Sequence, residues 1–412
     1  MIVGMVKLLH TADVHLDSPL RTLALRDPDL AQRIDNATRT ALARIVDIAI
    51  EERVAAVLIA GDLYDGGQRS MTTAAFLIAQ FRRLQSNGIQ VFLIRGNHDA
   101  ESRITKEIGW PENVHRFDGH GGHQMLDGTD IAIHGVSFAN PHAPESLVGK
   151  FRPVEGAVNI AMLHTSLAGA PGHDPYAPCT VADLVSAGFD YWALGHVHVR
   201  TVHHQNPFVV MPGMPQGRDI GEDGPKSATL IHVQDDSIQI EERPTAEILF
   251  RRLDCDLTGA QDMDEVHSAL RRALDGLDHD VPSVVRIRLT GQTELVWQIR
   301  RDLDLIREVA EQSAQGLDVW IDKIVADIEA PAITDSGAAG ELANLIAQIA
   351  AEPGFAAQAE AALGEVVDDL PAELRGTYGA DADGRSDAAR RLIDQAVAHA
   401  VARIHSVTPD AD

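Results

Sequence analysis

Five short segments of this chain carry acids and imidazoles at spacings that could do metal chemistry. They are Asp13-x-His15 in "HTADVH", Asp62 in "GDLYD", Asn97-His98-Asp99 in "GNHDAE", His164 in "LHTS", and His196-x-His198 in "LGHVH". Counted as donors, Asp13, His15, Asp62, Asn97, His164, His196 and His198 supply seven oxygen and nitrogen ligands and no thiolate. That is more than one tetrahedral zinc with an open position takes. It suits two metals that share a bridging carboxylate, each with room for water or a substrate oxygen. Mixed imidazole and carboxylate donors fit manganese, iron or zinc better than calcium. A pair of such ions stabilises the attacking and leaving oxygens of an in-line phosphoryl displacement. Gly61 and Gly96 let the backbone turn sharply beside the ligands.

Each segment has a plainer reading when taken singly. "GD" or "GNH" after an apolar run is most often a turn, and His196 and His198, at i and i+2, could share one face of an exposed strand. That reading leaves the ordered set unexplained. His10, His115, His120, His123, His134, His203 and His204 match no ligand position.

The elements that must position these residues follow from periodicity. Short β-type runs are expected at residues 6–9, 55–60, 90–94, 131–135, 159–163, 191–194, 208–211, 228–233 and 237–242. Amphipathic stretches at 38–53 and 70–85 separate the first three. Strand, helix, strand, helix predicts an α/β domain that starts parallel and becomes mixed as the helices thin out. The five segments follow strands, and the carboxyl ends of parallel strands border the crevice where ligands bind.

The pattern resets at "ILFRRLDCDL". A strand at 248–257, a helix at 263–274, a strand at 283–290, a helix at 295–312 and a strand at 318–325 predict a second, smaller domain. "EAPAITDSGAAG" reads as a linker and "GTYGADADGRSD" as a loop between alanine-rich helices. Leu342, Leu345, Ile346 and Ile349 share one helical face, and Leu392, Ile393, Val397, Val401 and Ile404 another. The expected organisation is 1–245, 246–330 and 331–412.

Bulk composition bounds the rest. A chain of 412 residues calls for two or three domains, and 45% apolar with 23% charged residues is globular usage. No window approaches the roughly 18 apolar residues of a membrane helix, and "MIVGMVKLLH" lacks the layout of a secretory signal. Cys179 and Cys255 are the only cysteines, which excludes a disulfide framework and fits a reduced, cytoplasmic setting. A net charge of −26 argues against holding nucleic acid by overall charge. Bound dications would still supply local positive charge where phosphate must sit.

The ordered set D-x-H, GD-x-x-D, GNHD, a lone His and GH-x-H resembles the calcineurin-like metallophosphoesterase superfamily. Within it, "HTADVHLDSPL" and "PGMPQGRDIGEDGPKSATLIHV" resemble DNA-repair exonucleases of the SbcD/YhaO type, nearest the YhaO-like branch. The resemblance implies a four-layer α/β/β/α sandwich, a small α+β capping domain and a C-terminal helical region. It also implies two divalent ions, usually manganese in the nucleases, and a metal-bound hydroxide as nucleophile. One ion would be held by Asp13, His15 and His198, the other by Asn97, His164 and His196, with Asp62 bridging. His98 matches the catalytic histidine, which contacts the phosphate and protonates or stabilises the leaving oxygen. Asp99 matches an acid that would orient a histidine, here His98. Many SbcD-type nucleases carry a histidine where "GDLYD" has Asp65, whereas the YhaO-like branch commonly has an acid there.

The implied partners are DNA, an SMC-like ATPase of the SbcC or YhaN type docked on the C-terminal helices, and a second copy of the chain; no membrane is implied. Paired arginines (Arg251/Arg252, Arg271/Arg272, Arg300/Arg301) with Arg286 and Arg288 would position DNA. Residues 246–330 nevertheless hold 18 acids against 10 bases, so the arginines equally suit pairing with neighbouring acids. The C-terminal stripes equally suit helices packed on each other. The expected function is a metal-dependent DNA exonuclease or endonuclease of a repair complex. The alternative is a small-molecule or nucleotide phosphoesterase on the same fold. A non-catalytic subunit with a structural metal centre is the third reading, and His98 argues against it.

Overall fold

The computed structural model describes residues 4–18, 28–65, 70–101, 109–140, 143–167, 176–235, 237–331, 338–370, 378–379 and 382–405. The chain divides into two compact units: 1–251 with 280–284, and 252–279 with 285–412.

In the first unit the apolar runs become strands of two six-stranded sheets. The first sheet holds β1 (Val6–Thr11), β2 (Ala56–Ala60), β3 (Gln90–Ile94), β4 (Val114–Arg116), β11 (Ser227–Gln234) and β12 (Ser237–Pro244), in the order β12-β11-β1-β2-β3-β4. The second holds β5 (Gly122–Met125), β6 (Ile131–Val136), β7 (Val158–His164), β8 (Tyr191–Gly195), β9 (Thr201–Gln205) and β10 (Phe208–Met211), in the order β5-β6-β7-β8-β10-β9. Both are mixed. β1 to β4 run parallel with antiparallel β11 and β12 beside them. β6, β7, β8 and β10 run parallel, flanked by antiparallel β5 and β9.

The sheets bury a shared core in which Leu8, Leu58 and Phe92 of the first meet Ile133, Ile160, Met162 and Tyr191 of the second. Residues buried on both faces explain why β1, β2, β3, β7 and β8 read as continuous apolar runs rather than alternating ones. The outer face of the first sheet is covered by α1 (Pro28–Glu51) and α2 (Met71–Ser86), through Leu42, Ile45, Leu77, Phe81 and Leu84. α3 (Asn97–Glu101) is a single turn. The outer layer on the second sheet is thin: Phe151, Phe189 and the short α4 (Val181–Ser186), which contributes Leu184, cover Trp192 and Leu194. The fold is therefore an α/β sandwich of two mixed sheets.

The second unit contains most of a three-stranded sheet, β13 (Leu249–Asp256), β14 (Ser283–Gln292) and β15 (Val319–Glu329), in that order. Its helices are α5 (Met263–Asp275), α6 (Val296–Arg301) and α7 (Leu303–Ser313). Val266, Leu270 and Leu274 of α5 and Ile306 and Ala310 of α7 bury against Ile287, Leu289 and Ile321. The single helix expected at 295–312 is two helices, broken at Asp302. The C-terminal helices are α8 (Ala338–Ala350), α9 (Pro353–Asp369) and α10 (Ala382–His405). The loop expected through "GTYGADADGRSD" is shorter, because α10 already begins at Ala382. Half of the expected linker, 332–337, lies outside the described residues. Leu363 and Val367 of α9 pack on Ala388 and Ala389 of α10, while Leu342, Leu345, Ile349 and Leu392 are exposed.

Candidate metal centre

The five segments all leave strands whose carboxyl ends lie together. β1 and β2 are parallel neighbours, and their pairing continues past the sheet. Asp13 N donates to Gly61 O at 3.0 Å, His15 N to Asp62 O at 3.0 Å, and Leu16 N to Leu63 O at 3.0 Å. From the second sheet, His196 N donates to both Asp13 carboxylate oxygens, at 2.9 and 3.1 Å. Asp13 (φ +52°), His15 (+42°), Asp62 (+51°) and His196 (+107°) all have positive φ. Each such residue costs on the order of 1–3 kcal/mol, strain that folds tend to retain at functional sites.

Six of the seven expected donors form two groups whose ligand atoms lie within 4.8 Å of one another: Asp13, His15 and His198; and Asp62, His164 and His196. The seventh, Asn97, sits on the second group, its Oδ1 3.1 Å from His164 Nε2. Asp13, His15, Asp62 and His164 are almost entirely buried.

The donor atoms face one another in a way that fits cations. His164 Nδ1 donates to Ala60 O at 2.9 Å, so its Nε2 lone pair meets Asn97 Oδ1 and, at 3.3 Å, Asp62 Oδ2. His198 Nδ1 donates to Glu222 Oε1 at 2.7 Å, which turns its Nε2 toward His15 Nε2 at 3.2 Å. Acceptors aimed at acceptors repel unless a proton or a metal ion lies between them. Without a metal a proton takes that place at His164: burial opposes its charge, but Asp62 and Asp13 push it up to about 9. Burial would raise Asp62, yet His164 and His15 hold it well below the usual carboxylate range. Burial lowers His15 to about 3 and raises Asp13, two groups that a bound dication would hold as neutral imidazole and as carboxylate. The donor set, its tautomers and its burial therefore fit a pair of divalent ions. Close packing leaves no room for a side chain at Gly96, where a Cβ would collide with Asp62 Oδ1 and lie 2.7 Å from His164 Nε2.

His98 is the second residue of the short α3, its backbone N–H bonded to Asp62 Oδ1 at 3.0 Å. Its ring is partly exposed and lies edge-on to His15, 4.9 Å between centroids. Its acidic partner is not Asp99. The Asp99 carboxylate accepts from the backbone N–H groups of Leu63, Tyr64 and Gly96 at 3.0–3.2 Å, tying the loop after β2 to the loop after β3. Burial and Asp62 push Asp99 up to about 6. The residue beside His98 is Asp65, with Oδ1 3.2 Å from His98 Nδ1 and Oδ2 accepting from Ser18 Oγ at 2.9 Å. Those bonds hold Asp65 well below its ordinary range and raise His98. The carboxylate at position 65 is thus paired with a histidine, and His15, Asp65 and His98 form a third group of close donors.

Two residues that the sequence reading did not single out complete the site. Glu222 buttresses His198, and it accepts from Arg218 through the backbone N–H at 2.8 Å, Nε at 3.1 Å and Nη2 at 2.5 Å. Burial would raise Glu222, but its bonds to His198 and Arg218 hold it well below the usual range. A carboxylate on the far nitrogen of a ligating histidine fixes its tautomer and raises its basicity. His10, left outside the ligand set, is buried between the sheets, bonded to the Tyr191 hydroxyl at 3.0 Å and Leu194 O at 2.9 Å. Burial lowers it to about 3, so it stays neutral.

The family model for calcineurin-like phosphoesterases matches residues 6–200, and the model for the middle domain of metallophosphoesterase YhaO matches residues 250–329. The uncharacterized metallophosphoesterase YhaO of Bacillus subtilis (strain 168) is 37% identical over 310 residues, covering 74% of this chain and 76% of that protein. The chain belongs to the calcineurin-like metallophosphoesterase family. This metallophosphoesterase is also 26% identical over 213 residues to the DNA double-strand break repair protein Mre11 of Sulfurisphaera tokodaii, covering 48% of this chain and 50% of that protein. The Mre11 protein of Sulfolobus acidocaldarius is 25% identical over 323 residues, covering 72% of this chain and 77% of its own length.

Proposed function

We propose that this metallophosphoesterase is a manganese-dependent DNA phosphodiesterase, the nuclease subunit of a repair complex. The observation that carries the reading is the pair of buried donor groups with His98 beside them, held by Asp65. Likeness to proteins named for DNA double-strand break repair supports DNA as the substrate. The match to the YhaO middle domain supports a second domain that a small-molecule phosphatase does not need.

Asp13, His15 and His198 would hold one ion, and Asn97, His164 and His196 the other, with Asp62 between them. When bound, the two ions supply a nucleophile at neutral pH and stabilise charge on attacking and leaving oxygens. The chain's own residues do the rest. Ala60 O and Glu222 fix the His164 and His198 rings with Nε2 facing the site. Asp65 binds His98 at Nδ1, which leaves Nε2 for the leaving oxygen and favours the protonated ring that donates to it. Asp99 locks together the loops that carry Asp62 and Asn97.

A partner ATPase of the SMC-like class would supply the grip on DNA that a chain of net charge −26 lacks. Three arginines of the second unit support that division of labour, because they are paired with acids of the same unit. Arg286 pairs with Asp322, Arg288 with Asp254 and Arg301 with Asp302. Exposed Leu342, Leu345, Ile349 and Leu392 offer apolar surface for a partner helix. The acidic balance favours one alternative, a small-molecule or nucleotide phosphoesterase. Hydrolysis of bis-p-nitrophenyl phosphate and p-nitrophenyl phosphate with manganese separates the two. The proposal expects the diester to be the better substrate, and a strong preference for the monoester would overturn it.

A further inference from the structure

Arg218 is a cation placed against the candidate metal centre that none of the five metal-binding motifs accounts for. Its Nε and Nη2 edge and its backbone N–H are all fixed on the Glu222 carboxylate. Its Nη2 also lies 3.4 Å from His198 Nδ1. Its charge bears on His15, on His98 and on Asp65, members of two donor groups. Nη1 makes no hydrogen bond among the described residues, although the side chain is only 23% exposed. A guanidinium pinned along one edge keeps its geometry, loses little entropy on binding an anion, and presents its remaining N–H groups as a fixed fork.

We infer that Arg218 is a substrate-binding residue, its Nη1 side donating to a non-bridging oxygen of the phosphoryl group placed between His98 and the metal ligands. The inference rests on the phosphoesterase reading and deepens it by naming the phosphate contact. It also gives a chemical sense to Asp65. With the acid paired to His98, positive charge for the phosphate comes from the loop after β10. Glu222 then has two tasks, holding His198 for the metal and Arg218 for the substrate. The competing account is that Arg218 only props Glu222 and, through it, His198.

The test uses the full-length chain loaded with manganese and inorganic phosphate as the probe. Phosphate affinity is read from the shift in melting temperature, which needs no turnover. Manganese content is measured in the same samples. Arg218→Ala is expected to weaken phosphate binding about 10- to 100-fold, the range of a lost charge-assisted hydrogen bond. Arg218→Lys should recover part of it, and both should keep wild-type manganese content. With bis-p-nitrophenyl phosphate the same variant should raise KM. Wild-type phosphate affinity in Arg218→Ala would overturn the inference. So would loss of manganese in step with Glu222→Gln, or a wild-type protein that phosphate does not stabilise. Arg218-dependent phosphate binding by a protein that hydrolyses no diester would leave the contact standing and remove the proposed function instead.

Discussion

At the scale of single residues, the site is built from side chains that each do one thing because a neighbour holds the other end. Glu222 is the clearest case. It fixes His198 at 2.7 Å, and Glu222→Gln keeps the shape while removing the charge. The variant should bind manganese roughly 10–100-fold more weakly, the usual cost of losing such a partner, as measured by titration with a competing chelator. Unchanged affinity would mean that the Glu222 bond serves folding alone. That the seven expected donors come together was legible in the sequence, because each lies at or just past the end of an apolar run. Glu222 was not, because it lies in a short helical turn after β10 with no strand end to mark it. Nor could spacing say which acid meets His98. Asp99 is adjacent in sequence but turns to the backbone of two loops, whereas Asp65 arrives from the loop after β2.

At the scale of elements, the central strands and one edge, β12, declared themselves and the other edges did not. β3 and β10 have the bounds that their apolar runs imply, while β4, β5 and β9 are short and carry mostly polar residues. Edge strands bury little, so no hydrophobic pattern is imposed on them. The helical stretch after β14 reads as continuous because its apolar period runs through, yet Asp302 separates α6 from α7. α5 shows how much one face can carry in so small a unit. Leu270 is fully buried against β14 and β15, so Leu270→Ala should cost about 2–5 kcal/mol. The measurement is the unfolding of the second unit followed by denaturant. A loss below 1 kcal/mol would show that this helix is not part of its core.

At the scale of the whole molecule, the α/β start followed from strand–helix alternation, whereas the partition of the strands into two sheets came only with the resemblance. Charge is the global property with a functional consequence. With 61 acids against 35 bases, the isolated chain should bind duplex DNA weakly at physiological salt, with a shallow dependence on salt concentration. Tight, steeply salt-dependent binding in a fluorescence anisotropy titration would contradict the reading in which DNA is gripped by a partner. In the proposed function, His98 beside two metal ions completes a phosphodiesterase. The most direct measurement is degradation of end-labelled linear duplex and single-stranded DNA with manganese, wild type against His98→Ala, with metal content determined for both. The expected result is a loss of roughly 10²–10⁴-fold in the variant with its metals retained. Equal degradation by the two proteins at equal metal content would contradict it.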